Sequence, residues 1–380
     1  MSSASIVITA GRSRSVDVIR GVALVFMVIN HFGQTLVGGG YDSPTGLFIL
    51  FCGIFPGPLF YVVVGISLVL SDRRLKAPQA SPWQAWRELI PRALLIMGAG
   101  YLLAIALFGW TWRLDWSVLQ FIGLSLILCE AALRIPWRYR LFFPLFFIGL
   151  APLLRLWLGY EAIVGTVGSL HYQAPVTLWD HLSAILVTGK VPLFPWLACP
   201  LIGTLLAEPL VDQPARMRQV VYAMTTTGAI MLLLVLPLWL GLGDTVTQYP
   251  LTSGFTLLSI GMSLLLVAAG VTAIDLWRWW NPAFRFCEIN GQIALITYVA
   301  HHLFGILWLG VILGLYRHLD VVGLSVVLAA YFVALLLFAR LWLPFRRGRS
   351  WFFDIGVAYL LLIVGLAVRF AFAGLGLWIF

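Results

Sequence analysis

Two side chains in the amino-terminal stretch RSRSVDVIRGVALVFMVINHFGQ, residues 12–34, are equipped to do chemistry together: Arg20 and His31. Apart from Asn30, everything between them is apolar or glycine. On a helix, their eleven-residue interval brings them within about 20° of one another and about 16 Å apart along the axis, roughly half a bilayer core. Imidazole ordinarily titrates near neutrality and can take a proton from an attacking hydroxyl or amine. Guanidinium is a planar, permanent cation suited to an anionic ligand. Asp17 precedes Arg20 by three residues and suits the first turn of a helix that Ser15 can cap. Arg20 can equally serve as a headgroup anchor and topology signal. Far downstream, Tyr298, His301 and His302 stand at i, i+3 and i+4, so one helix face can present a phenol with an imidazole. His301 can alternatively bond Tyr298 or a backbone carbonyl and simply hold helices together. Amide donors for a developing oxyanion are present in Asn30, Gln34, Asn290 and Gln292.

These residues need a membrane to make sense. The 380 residues are 61% hydrophobic and only 10% charged, and the mean hydropathy is +0.98, which excludes a soluble domain. The expected fold is an all-α, polytopic transmembrane helix bundle of about eleven spans forming a single domain, residues 1–380. The spans are expected near 17–37, 46–70, 89–108, 117–133, 141–158, 193–210, 219–241, 251–273, 291–314, 319–339 and 355–378. The net charge of +9 sits in short loops between apolar runs, so it carries topology and is no footprint for nucleic acid. With a cytoplasmic amino terminus, nineteen Lys and Arg fall at inner span ends and loops and four at outer ones, leaving Arg369 within the last span. This bias places the carboxy terminus outside, Arg20 towards the cytoplasm and His31 towards the outer face. The four cysteines lack metal or disulfide spacing and read as packing residues. The first apolar run has no cleavage-site pattern and reads as a retained span.

Two spans are expected to break. Pro56-Gly57-Pro58 interrupts the second, and Pro192, Pro195 and Pro200 interrupt the sixth. Irregular backbone at membrane depth survives where protein or a cavity surrounds it, so a cavity near the intramembrane histidine is expected. The longest outer connection, 159–192, carries Tyr160, Glu161, His171, Tyr172, Asp180 and His181 and suits sugar binding or a solvated connector. The tryptophans of the short aromatic loop on the same side read as belt residues, and its Asp115 can face a site near His31.

The run Arg14, Ser15, Asp17, Arg20-Gly21, Ala23, Met27 and His31 resembles the opening signature of the heparan-alpha-glucosaminide N-acetyltransferase-like family. The spacing of Arg20 and His31 is also similar to that of the integral-membrane acyltransferase 3 family. Later pieces come in family order: 116–123, Pro192 to Gly203, Tyr249-Pro250, and Asn290-Gly291 with Tyr298 and His301. The resemblance covers most of the chain and implies transmembrane acetyl transfer from acetyl-coenzyme A to a sugar, on the lysosomal lumenal side or its bacterial equivalent. The chain departs from the lysosomal branch, whose active histidine lies beyond the first span, because it has no histidine between Phe32 and Leu170. His31 therefore rests on the spacing shared with the acyltransferase 3 pattern.

The residues suit the same task. A cytoplasmic cation, a continuous helix face and an outward imidazole fit the movement of an acyl group from an inner coenzyme A thioester to an outer sugar or glycan acceptor. His31 is the expected general base, with Asn30 and His301 as further catalytic candidates. Arg20, Asp17 and Tyr298 are the donor-binding candidates. No metal is expected, the partners are membrane lipid, thioester and glycan, and a homo-oligomer is compatible with the sequence. The expected location is the plasma (inner) membrane. The competing class is a transporter or flippase for a glycan or lipid intermediate, which would use the same broken helices and cavity. A third is a noncatalytic membrane subunit.

Overall fold

A computed structural model describes residues 8–9, 12–38, 43–75, 82–158, 175–242, 251–346 and 351–374. The chain is a bundle of α-helices, with one two-residue β pair, Ile8–Thr9 against Arg12–Ser13, leading into the first helix. Among the described residues, ten helices are long and apolar enough to cross a membrane, so this is a multi-pass membrane protein. They correspond to ten of the eleven expected spans, although the sixth begins at Leu178, inside the stretch 159–192 expected as an outer connection. The eleventh, expected at 117–133, is the apolar helix Val118–Ala132, whose 15 residues rise only about 22 Å. It falls short of the roughly 30 Å hydrocarbon core. Most of its side chains are buried against protein, where length matters less.

The first helix, Arg14–Leu36, is the centre of the bundle. Its apolar window is 67% buried, against 17% in Met217–Leu238 and Val321–Arg346, whose large apolar side chains face outward as a lipid-facing surface does. Its N-cap is Ser13, one residue before Arg14, so Ser15 lies inside the first turn and Asp17 is the acidic residue of that turn. At the other end, Arg317 and Leu319 donate backbone N–H groups to the carbonyls of Thr35 (3.0 Å) and Leu36 (2.8 Å). Carbonyls left over at the helix terminus are thereby satisfied.

Both expected breaks are present. The second span divides at Phe55 into Pro44–Ile54 and Pro56–Leu75, because Pro56 has no N–H to continue the ladder. The sixth runs from Leu178–Ser183 through a π-helical turn, Ala184–Thr188, and is non-helical at Phe194 before Ala198–Asp212. Two residues close the packing around the first helix. A Cβ on Gly21 would lie 1.8 Å from the Cys287 carbonyl oxygen, and one on Gly291 would lie 1.8 Å from the Asp17 carbonyl oxygen. Glycine at both positions lets the first helix and the amphipathic helix Pro282–Gln292 cross in backbone contact.

Candidate active site

The first helix meets the segment 291–301 twice, once near each of its ends. At the Arg20 end, Nη1 of Arg20 donates to Oδ1 of Asp17 (2.7 Å) and to the Gly291 carbonyl (3.2 Å), and Nη2 donates to Oγ of Ser67 (2.6 Å). The helix pitch carries Asp17 and Arg20 to the same side at i, i+3, where burial strengthens their ion pair. Arg14 and Arg285 flank the crossing by pairing with Glu288, at 3.3 and 2.9 Å.

At the other end, Nδ1 of His31 lies 2.9 Å from Nε2 of His301. The helix Ala294–His301 passes into a π-helix at His302, and Gly305 on that turn lets the Phe32 ring lie close by. His301 is fully buried and places its Nδ1 3.0 Å from the Thr297 carbonyl oxygen. A carbonyl only accepts, so His301 carries its proton on Nδ1 and presents a lone pair at Nε2. The contact with His31 then requires His31 to donate from Nδ1, and this leaves the lone pair of His31 on Nε2. Neutral imidazole with an available Nε2 is the form a general base needs.

The remaining expected residues fall as follows. Tyr298 is buried beneath the imidazoles, with its ring edge-on to His301 (5.4 Å between centroids) and 4.6 Å from His302. Asn30 is buried and donates from Nδ2 to the Ile49 carbonyl (2.7 Å), just before the break in the second span. That N–H of Asn30 bonds protein. Asn290 likewise donates from Nδ2 to the Phe286 carbonyl (2.9 Å). Gln34, three residues past His31 on the same face, is exposed. Asp115 is buried and paired with Lys190 (3.2 Å), and the charge of Lys190 acts on His302. His181, in the helix Leu178–Ser183, donates from Nδ1 to the Leu114 carbonyl (2.7 Å) and accepts from the Tyr101 hydroxyl (3.2 Å), so it ties that helix to the helix Pro82–Phe108 and to the loop that follows it. Tyr160, Glu161, His171, Tyr172 and the Tyr249-Pro250 pair lie outside the described residues.

Sequence reasoning set His302 at i+4 from Tyr298 but did not count it among the site residues. Its ring centroid lies 4.7 Å from that of His31 and 4.1 Å from that of His301, and its Nδ1 sits 2.9 Å from the Tyr298 carbonyl oxygen. The available signal was the adjacency of two histidines within an apolar span. On a regular α-helix neighbours diverge by about 100°, and both residues keep α-helical backbone angles, so the ring of His31 lies against two adjacent imidazoles of one helix.

The multi-pass bundle thus holds a part-buried, hydrogen-bonded imidazole pair between its first helix and Ala294–His301. The family model described as heparan-alpha-glucosaminide N-acetyltransferase, catalytic, matches residues 12–239, well over half of the chain. The protein belongs to that family and is a multi-pass membrane acetyltransferase. The matched stretch contains Arg20 and His31, and ends before His301 and His302. No curated protein matches the chain.

Proposed function

We propose that the chain, residues 1–380 acting as one unit, moves an acetyl group from acetyl-coenzyme A on the cytoplasmic side to a hydroxyl or amine of a sugar or glycan on the opposite side. The nineteen-to-four distribution of basic residues supports a cytoplasmic amino terminus and an outer carboxy terminus, and the membrane proposed is the plasma (inner) membrane. The observation that carries the mechanism is the 2.9 Å contact between His31 Nδ1 and His301 Nε2, together with the carbonyl that sets the His301 tautomer.

His31 Nε2 takes the proton of the acceptor as its oxygen or nitrogen attacks the thioester carbonyl. His301 holds the ring of His31 in place and stabilises the imidazolium that forms, since its Nε2 accepts from Nδ1–H in both charge states. Collapse of the tetrahedral adduct expels the thiolate of coenzyme A, which takes the proton back from His31. Gln34, exposed three residues past His31, is the proposed donor to the oxyanion, whereas the Nδ2 bond of Asn30 to Ile49 favours a role in holding the break of the second span. At the cytoplasmic end, Arg20 contributes a half-buried cation oriented by Asp17 and Ser67, a fixed positive edge to a path for the anionic donor. Tyr298 forms an aromatic wall beneath the reacting groups.

The test is reconstitution in vesicles with thioester labelled in the acyl group supplied at the cytoplasmic face. Transfer predicts label bound covalently to an outer acceptor and free coenzyme A retained on the donor side. Movement of an intact labelled molecule across the membrane would instead identify a transporter.

A further inference from the structure

The three imidazoles gathered at the end of the first helix do more than one base requires. We propose that His31, His301 and His302 form a binding site for a divalent transition metal of the zinc class, and that occupancy switches the transferase off. The metal-binding half stands on the geometry alone, and the switching half rests on the proposed role of His31.

One ligating nitrogen from each of the three lies within 4.8 Å of the other two. A tetrahedral ion with metal–nitrogen bonds of about 2.0–2.1 Å needs its ligand nitrogens about 3.3 Å apart. The closest pair, at 2.9 Å, opens slightly, and the wider pairs close by about 1.5 Å or less, within the reach of side-chain rotation. His301 and His302 each turn Nδ1 to the carbonyl four residues back, at 3.0 and 2.9 Å. Histidines that hold metals have this arrangement, one nitrogen bonded to a carbonyl and the other presented to the ion. Two adjacent residues therefore present their Nε2 lone pairs from one rigid segment, and His31 approaches from a second helix. The ligand set is all nitrogen, which suits zinc, copper or nickel and does not suit magnesium or calcium, ions that take oxygen. Lys190, whose charge opposes a cation near His302, is compensated by Asp115 at 3.2 Å. Three protein ligands leave a fourth position on the ion for water.

Ligation and base catalysis use the same electrons. If His31 binds through Nδ1, the proton now on Nδ1 moves to Nε2, and the basic lone pair is lost. If it binds through Nε2, the metal takes that lone pair directly. In both cases only metal–nitrogen bonds form, nothing is oxidised or reduced, and removal of the ion restores the base.

The experiment equilibrates the purified full chain with zinc chloride, removes excess by desalting and measures zinc per chain. About one zinc per chain is expected for the wild type, and none from magnesium chloride in a parallel sample. His301→Ala and His302→Ala should each lower zinc affinity by at least about 10-fold. His302→Gln, which keeps the size of the side chain, should do the same, and elution as a single species with an unchanged melting temperature certifies its fold. Zinc retention that is absent in the wild type, or unaffected in folded His302→Gln, overturns the site. In the second arm, zinc should suppress acyl transfer and a chelator should restore it. Transfer that rises with zinc overturns the switch while leaving the site standing. A preparation that transfers no acyl group under any condition bears on the proposed function, and zinc stoichiometry still decides the site.

Discussion

His301→Phe is the perturbation that most directly probes the mechanism. Phenylalanine retains a buried aromatic ring next to Tyr298 and His302 but removes the only acceptor in the 2.9 Å contact with His31 Nδ1. An N–H left unpaired in a buried setting costs about 1–3 kcal/mol, and His31 escapes that cost by moving the proton to Nε2. The productive tautomer is then disfavoured by the same free energy. At about 1.4 kcal/mol per tenfold change, kcat should fall about 5- to 150-fold. Binding of the thioester should be unchanged, because the lost interaction acts on the base and not on the donor. His301→Gln supplies a carbonyl that accepts from Nδ1–H and should recover most of the loss. The assay is steady-state transfer of a labelled acyl group, with kcat and the KM for donor determined separately for each verified folded variant. A wild-type kcat in His301→Phe, or a His301→Gln enzyme no better than His301→Phe, would refute the tautomer argument and reduce His301 to packing.

Other perturbations extend the test. His31→Ala should keep fold and donor binding while lowering transfer by about 10²–10⁴-fold, the usual worth of a general base, and a folded variant with wild-type transfer eliminates the assignment. Arg20→Gln should weaken thioester binding more than Arg20→Lys, and both should lower the melting temperature in detergent because the fork shared by Asp17, Gly291 and Ser67 is lost; wild-type affinity in both would leave Arg20 a topology signal. Gly21→Ala drives a methyl group to 1.8 Å from the Cys287 carbonyl oxygen, and the helices must separate at a cost of at least about 1–3 kcal/mol, measurable as a lowered melting temperature. Gly348→Cys should react with membrane-impermeant thiol reagents only after the inner face is opened, and labelling from outside intact cells would invert the topology.

Much of the architecture is legible in the sequence because hydropathy and charge act locally. A segment either is or is not apolar enough for lipid, whatever surrounds it, so the spans and the proline breaks at Pro56 and around Pro195 can be read residue by residue. The alignment of Arg20 with His31 is equally local, since helix pitch alone puts both on one face. The short helix Val118–Ala132 marks the limit of that reading: composition announces a span, but the length needed depends on how much of the helix is covered by protein.

What the tertiary structure decided is which partner each polar group has found. Asn30 and Arg20 read as reactive groups, yet Asn30 bonds the Ile49 carbonyl and Arg20 bridges Asp17, Ser67 and Gly291. The backbone crossing of Gly21 with Cys287 joins positions 266 residues apart, and His31 meets His301 across 270. No local periodicity encodes such pairs. In the low-dielectric interior an unpaired polar group is costly, and its partner is set by which helices pack together, as the contact of His31 with His301 demonstrates. Sequence thus determined the residues able to do chemistry and the helix that carries them, whereas packing determined the proton's position on His31, because a tautomer is fixed by the group that faces it.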